Sequence, residues 1–334
     1  MADVLKAPPA PAVEPGRAAG RRRGAARLVL VRLAASAAVL WGAVTVTFCL
    51  LRLMPGGTAD VLLARSRVSP EIRAQIIAEY RLDDPLWVQY AAYLGRVVRG
   101  EFGDSYVLRR PVWDEIAARL PHTLLLILTT LLVTLVASVL LALVSANRRR
   151  WVRSSFAAAE SLVVALPPFW LGLLLLTLFS FTLHWFPAIG SSSPMGLVLP
   201  TIALAAAPTA VVTGVLRQGI LQALEEPFVV TARSRGIGEP ALRVRHVLRH
   251  AMLPAATLLG WIAGSLIGGA VIIEIVFSRQ GIGRLMLFAV QNKDMPVVIA
   301  VVLLTAVVFV AINIAVDVLI WLIDPRTRET GRWA

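Results

Sequence analysis

Lysine is nearly missing from this chain: of 334 residues, only Lys6 and Lys293 carry an ammonium group. A phosphate-binding loop of the GxxxxGK[ST] type needs a lysine directly after glycine. Lys6 follows Leu5 and Lys293 follows Asn292. ATP hydrolysis by such a loop is therefore excluded, and the chain is not expected to bind a cofactor of its own. Cysteine occurs once, as Cys49. It can form no intrachain disulfide and does not report a redox compartment. Histidine is also scarce. The nearest approach to an HExxH metalloprotease helix is His246–Val247–Leu248–Arg249–His250, which lacks the glutamate and lies among arginines that would repel a metal ion. No metal site is expected. A membrane aspartyl protease would need paired aspartates in facing spans, and Asp317 is the only aspartate well inside an apolar run. Gly281–Ile282–Gly283 lacks the third glycine and the strand of a dinucleotide loop. An intramembrane enzyme is thus disfavoured.

Charge is the other scarcity. Charged residues make up 16% of the chain and hydrophobic residues 57%, whereas soluble domains carry roughly 25% charged residues. The apolar residues form long blocks. A bilayer takes ~20 apolar residues per helix, and lipid gives the backbone no hydrogen-bond partner, so such blocks must be helical. The sequence predicts an all-α polytopic membrane protein. Six spans fall near 33–53, 122–145, 158–183, 197–216, 255–277 and 296–321. Pro167, Pro168, Pro200 and Pro208 lie inside them, where they kink helices and free carbonyls.

The net charge of +13 does not imply nucleic acid, because the arginines cluster at the ends of the apolar blocks. Arg148, Arg149, Arg150 and Arg153 follow the second span, and Arg217, Arg233, Arg235, Arg243, Arg245 and Arg249 follow the fourth. By the positive-inside rule both loops are cytoplasmic, and so are both termini. Residues 1–32 read as a basic cytoplasmic tail, disordered for most of its length. The apolar run after it is too long for a signal peptide and is kept as a span. Residues 33–325 form the membrane domain and 326–334 a second cytoplasmic tail. The loop 55–120 falls outside. It holds one helix from Ser69 through Tyr80 and another from Pro85, with Trp87, Tyr90, Leu94 and Val97 as its apolar stripe. These helices lie on the membrane surface or against other spans, for packing or for binding.

The segment 225–254 is the most informative. Pro227 suits the first turn of a helix, and Gly236 suits its end, with Arg233 and Arg235 near the negative end of its dipole. A second short helix runs from Glu239 to His250, and Pro254 opens the fifth span. On that helix Arg245 and Arg249 are one turn apart, as are Arg243 and His246. Such a basic hairpin reads either as an ordinary positive-inside loop or as a knob that docks in a partner's groove and passes rigid-body motion into the spans.

Within the spans, Glu160, Glu274, Asn313 and Asp317 are polar. Groups of this kind face a bundle interior or a watery cavity. Asn313 and Asp317 share one helix face. They either line a pathway or bond between helices. Glu274 sits near the outer end, which makes it a candidate for a gate or a binding-protein contact.

Several motifs occur in an order that carries a resemblance. Arg217, then Thr231–Ala232–Arg233 with Arg235–Gly236, then Leu253–Pro254, resembles the coupling loop of the permeases of ABC importers, in the peptide/nickel-type family. The run Phe48 with Leu51–Arg52–Leu53–Met54–Pro55–Gly56 resembles that family's first-span ending, and Leu82–Asp83–Asp84–Pro85–Leu86–Trp87–Val88–Gln89–Tyr90 its outer-loop signature. Arg119–Leu120–Pro121–His122–Thr123–Leu124, Pro168–Phe169–Trp170–Leu171–Gly172, the set Glu274, Val276, Phe277, Gly281, Gly283 and Arg284, and Asp324–Pro325–Arg326 continue the match. Two positions depart from it. Val230–Thr231–Ala232 stands where the general coupling motif has Glu-Ala-Ala, and Gly57–Thr58 stands where an acidic residue and proline are usual.

The resemblance implies a type I importer fold in the inner membrane, working by alternating access. It implies a second related permease, two ATPase subunits that bind ATP and Mg, and an external solute-binding protein as partners. It marks Thr231, Ala232, Arg233, Arg235, Gly236, Arg243, Arg245, His246 and Arg249 as the ATPase-coupling loop. Glu274, Asn313 and Asp317 are candidates for the pathway or its gate. Dipeptides, longer peptides, nickel or other chelated metals fit as substrate. A self-contained secondary transporter often shows repeated halves with broken helices, and no such repeat is visible here.

Overall fold

The computed structural model describes residues 31, 34–50, 84–105, 107–146, 148–188, 193–292 and 294–323. The expected helix over Ser69–Tyr80 and both tails lie outside them, apart from residue 31.

The described residues are overwhelmingly helical. Helix α1 (Ala34–Leu50) is the first apolar segment. Helix α2 (Leu86–Arg99) belongs to the next loop. It lies on α1: Phe48 meets Tyr90 edge-on at 5.2 Å and Tyr93 at 5.6 Å, and the Thr45 and Tyr90 hydroxyls are 2.7 Å apart. Leu94 and Val97 join that contact, while Trp87, expected on the same stripe, is exposed.

Helix α3 (Val112–Ala146) starts ten residues before the expected span. Asp114 and Glu115 precede the apolar run that marks the span. They lie in the first turn, where carboxylates favour the positive end of the helix dipole. Pro121 stays inside the helix.

The span expected at 158–183 is broken. Helix α4 (Arg150–Ala165) and the arm from Pro168 to Thr182 meet at 98°. That arm is α5 (Pro168–Leu175), prolonged by π-helical turns over Leu176–Thr182. The physical cause is Pro167–Pro168. Proline removes the N–H donors that would continue α4, and it pushes the residue before it toward extended geometry. Leu166 and Pro167 are both extended, with ψ of 127° and 134°.

Helix α6 (Met195–Leu224) keeps Pro200 and Pro208 inside it. Two short helices follow, α7 (Pro227–Ser234) and α8 (Glu239–Leu242). A π-helical turn over Arg243–Val247 then leads without a break into α9 (Leu248–Val276). Pro254 opens the apolar span Pro254–Val276, as expected, while the helix itself begins six residues earlier. The chain ends its described part with α10 (Ile282–Gln291) and α11 (Met295–Ile323).

Four of these helices are long and apolar enough to cross a membrane, or five if the bent pair counts as one span. Helix α1 is a shorter apolar helix. The inside and outside of α3 explain why this is a membrane protein. Leu128, Leu132, Val136 and Leu140 form an exposed stripe, while Thr130, Thr134, Ser138 and Ser145 are buried. A water-soluble helix has the opposite polarity. In lipid no hydrophobic force drives helices together, so small and hydroxyl residues mark the contacts. Helix α6 packs against α3, and Ala203, Ala205 and Ala210 are among its buried residues. A Cβ at Gly219 would stand 3.0 Å from the backbone of Ala251 on α9.

Candidate coupling site and its anchors

The hairpin between α6 and α9 has two unlike faces. Its inner face is apolar and fixed: Val229, Ala232, Leu242 and Val247 are buried in one cluster with Leu216, Ile220 and Ala251 of the long helices. Phe228 stacks on His250 at 4.9 Å. The turn is set by Gly236, whose φ of 78° lies in the left-handed region that glycine adopts without strain. There its N–H donates to the Arg233 carbonyl at 2.9 Å, and the Ile237 N–H donates to Ala232 at 3.2 Å. Glu239 ties the two limbs. It accepts from Arg233 Nε at 2.8 Å and from Arg243 at 3.1 Å.

The outer face carries the remaining sequence-predicted residues. Thr231, Arg233, Arg235, Gly236, Arg245, His246 and Arg249 are exposed. Ala232 is buried on the inner face, packed in the core cluster. Arg243 is largely covered and engaged with Glu239. Sequence reasoning missed Val230 and Val244, which are 69% and 56% exposed on this knob. An apolar centre with a charged rim is the usual anatomy of a docking surface.

The polar span residues have other roles. Glu274 is fully buried. Its carboxylate accepts from Thr123 Oγ1 at 2.6 Å and from the Gly283 N–H at 2.7 Å. Thr123 Oγ1 in turn accepts from the Ile282 N–H at 2.8 Å. Glu274 therefore pins the turn between α9 and α10 to α3. Arg279, not singled out from sequence, is buried beside it and donates to the Gly196 carbonyl at 3.2 Å. A second anchor was also missed: buried Asp294 accepts from the Ser105 hydroxyl, which accepts from the Leu108 N–H at 2.8 Å. Both anchors join residues far apart in sequence, and no local pattern announces them.

Glu160 pairs with Arg217 through two bonds of 2.6 Å each. Asn313 donates to its own helix at the Phe309 carbonyl, 2.8 Å away. It packs at the α9–α11 crossing, where a Cβ on Gly264 would stand 3.2 Å from its amide nitrogen. Asp317 lies on α11, and its side chain is outside the described set. Among the described residues, no group of three or more His, Cys, Asp or Glu could hold a metal ion.

A helical bundle with apolar flanks and a small and polar interior, with one basic hairpin packed on its long helices, defines a polytopic membrane protein. The comparisons give the particular kind. Residues 138–329 match the family described as binding-protein-dependent transport system inner membrane component, and residues 25–127 match its N-terminal region. A putative peptide transport system permease protein of Brucella abortus is 36% identical over 310 residues, covering 90% of this chain and 98% of that protein. A glutathione transport system permease protein of Salmonella paratyphi A is 36% identical over 305 residues, with the same coverage. The chain belongs to the binding-protein-dependent transport system inner membrane components, the permease subunits of ABC importers. It is a transport component and not an enzyme. As a member of that family it works in the inner membrane with ATPase and binding-protein partners.

Proposed function

We propose that this chain forms half of a translocation pathway for peptides, opened and closed by ATP-driven alternating access. A second, related permease supplies the other half. Two ATPase subunits hold ATP and Mg, and an external binding protein delivers the peptide. The hairpin side and both termini face the cytoplasm, in keeping with the arginines at that end of the bundle. Relatives named for peptide and glutathione transport support a peptide cargo over a chelated metal.

The observation that carries the reading is the hairpin's two-faced construction. Its outer face offers Val230 and Val244 among Arg235, Arg245 and Arg249, three arginines with no acidic partner among the described residues. Its inner face is continuous with the core of α6 and α9. An ATPase pressing on the outer face must move those helices with it. A ligand shifts a conformational equilibrium only through a difference in contact between states, and this knob is where the difference arises.

The test is uptake of labelled di- and oligopeptides by vesicles holding the complete transporter, with nickel and glutathione as competitors. Peptide uptake that requires ATP supports the cargo assignment. Uptake of nickel with no peptide competition contradicts it.

A further inference from the structure

The proline-broken segment and the long helix that feeds the hairpin are joined by one side-chain pair. Arg217 lies on α6, seven residues before the helix ends at Leu224, or about 10 Å at helical rise. Both of its terminal nitrogens bond the two carboxylate oxygens of Glu160 on α4, each at 2.6 Å. The side chains are only 12% and 16% exposed. A paired fork of this kind fixes orientation as well as distance. The rest of α4 has no buried residue at all. The pair is therefore the one polar link, among the described residues, that ties α4 to the α6 shaft.

Beyond α4 the chain turns through 98° into the arm Pro168–Thr182. The corner is stiff, because consecutive prolines hold φ near its ring-imposed value. A stiff corner passes rotation from one arm to the other. The second arm reaches the far end of the bundle. There Gly172 packs so closely on α9 that a Cβ would stand 3.1 Å from the Phe277 ring, 3.5 Å from Val276 and 3.7 Å from Ile273.

We propose that Glu160 and Arg217 form a latch that makes the broken segment a bent lever. Movement of the hairpin shifts α6, the latch carries α4 with it, and the corner at Pro167–Pro168 swings the Pro168–Thr182 arm against the far end of α9. Glu160 is thus a positioning residue for the transport cycle. It acts through Arg217 and touches neither cargo nor ATPase. This rests on the hairpin being the ATPase contact.

The test uses the assembled transporter in lipid vesicles, with Cys49→Ala and Trp170→Cys in the permease. Trp170 is 44% exposed on the second arm. The maleimide labelling rate at position 170 is measured without nucleotide and with ATP held by hydrolysis-deficient ATPase subunits. The latch predicts a nucleotide-dependent rate that Glu160→Gln abolishes while ATPase co-purification stays unchanged. Uptake in Glu160→Gln falls roughly tenfold, within the range for directly contacting pairs. The exchanged pair Glu160→Arg with Arg217→Glu restores both readouts at least in part. A merely structural pair would change abundance and leave the nucleotide dependence intact. The proposal is overturned if the rate at position 170 ignores nucleotide, if Glu160→Gln keeps the nucleotide response, or if the exchanged pair is as defective as the single variant. Should outer-face hairpin variants still lose uptake in that case, the coupling assignment stands and only the lever fails.

Discussion

The carboxylate of Glu274 stands in the space that a side chain at Gly281 would need. The same carboxylate accepts the Gly283 N–H, and a Cβ on Gly283 would lie 2.5 Å from the α-carbon of Val271. The glycines of this turn are thus required by a buried acid seven and nine residues upstream.

Gly281→Ala and Gly283→Ala should therefore destabilise the folded chain. Overpacking costs typically about 1–3 kcal/mol, and more where backbone must shift. Glu274→Ala should cost about 1–3 kcal/mol for each buried donor left without an acceptor. Gly268→Ala is the control, because a Cβ there meets nothing within 4 Å. Melting temperature in detergent and abundance in membranes report the order: Gly268→Ala near the parent, the other three clearly below it.

The all-α membrane class was legible in the sequence because long apolar blocks leave the backbone no alternative. The hairpin was legible because Pro227 and Gly236 punctuate it. What the sequence hid were consequences of distance and of context. Asp114 and Glu115 lie ahead of the apolar run that marks the second span, yet the helix begins with them in its first turn. Pro254 marks the start of the fifth apolar span, yet the helix runs through it from the hairpin. Glu160 and Arg217 are 57 positions apart, and only the fold brings them into contact. Glu274 reads as a polar group near the outer end of its span, and its partners are not legible locally. Three donors around Thr123 and Gly283 satisfy it and its neighbour inside the protein.

Orientation can be read with a membrane-impermeant maleimide in intact cells. In a Cys49→Ala background, Val98→Cys should label from outside, since Val98 is 80% exposed on α2. Arg235→Cys should label only after the membrane is opened. The reverse pattern would invert the proposed topology.

The hairpin's internal ties should respond to acid and not to neutral pH. The hydrogen bond from Arg233 is the main cause holding the Glu239 carboxyl below its usual value of 4.5, with the Arg233 and Arg243 charges adding to it. A carboxylate with a depressed folded pKa contributes stability above the unfolded pKa and loses it as pH falls through the folded one. Hydrogen exchange in residues 233–243 should be constant from neutral pH to the unfolded glutamate value, once corrected for intrinsic rates. It should rise below that. Glu239→Gln should remove the acid-dependent part.

Charge reversal at Arg245 and Arg249 is a cleaner probe of docking than reversal at Arg243. Arg245 and Arg249 are exposed, whereas Arg243 bonds Glu239. A glutamate at position 243 would face Glu239 and disturb the hairpin itself. Exposed changes away from such ties usually stay within about 0.5 kcal/mol. The Arg245→Glu, Arg249→Glu variant should therefore keep its melting temperature while binding the ATPase less tightly. Gly236→Ala should instead lower the melting temperature, through a left-handed penalty of roughly 1–2 kcal/mol, with no steric clash.

The most direct measurement is ATP-dependent peptide uptake together with ATPase co-purification, at matched membrane abundance, for Val230→Asp with Arg245→Glu and Arg249→Glu. The account predicts a normally inserted chain that recruits little ATPase and imports almost nothing. Recruitment and uptake at the level of the unaltered chain would contradict it, and would make this hairpin an ordinary basic loop.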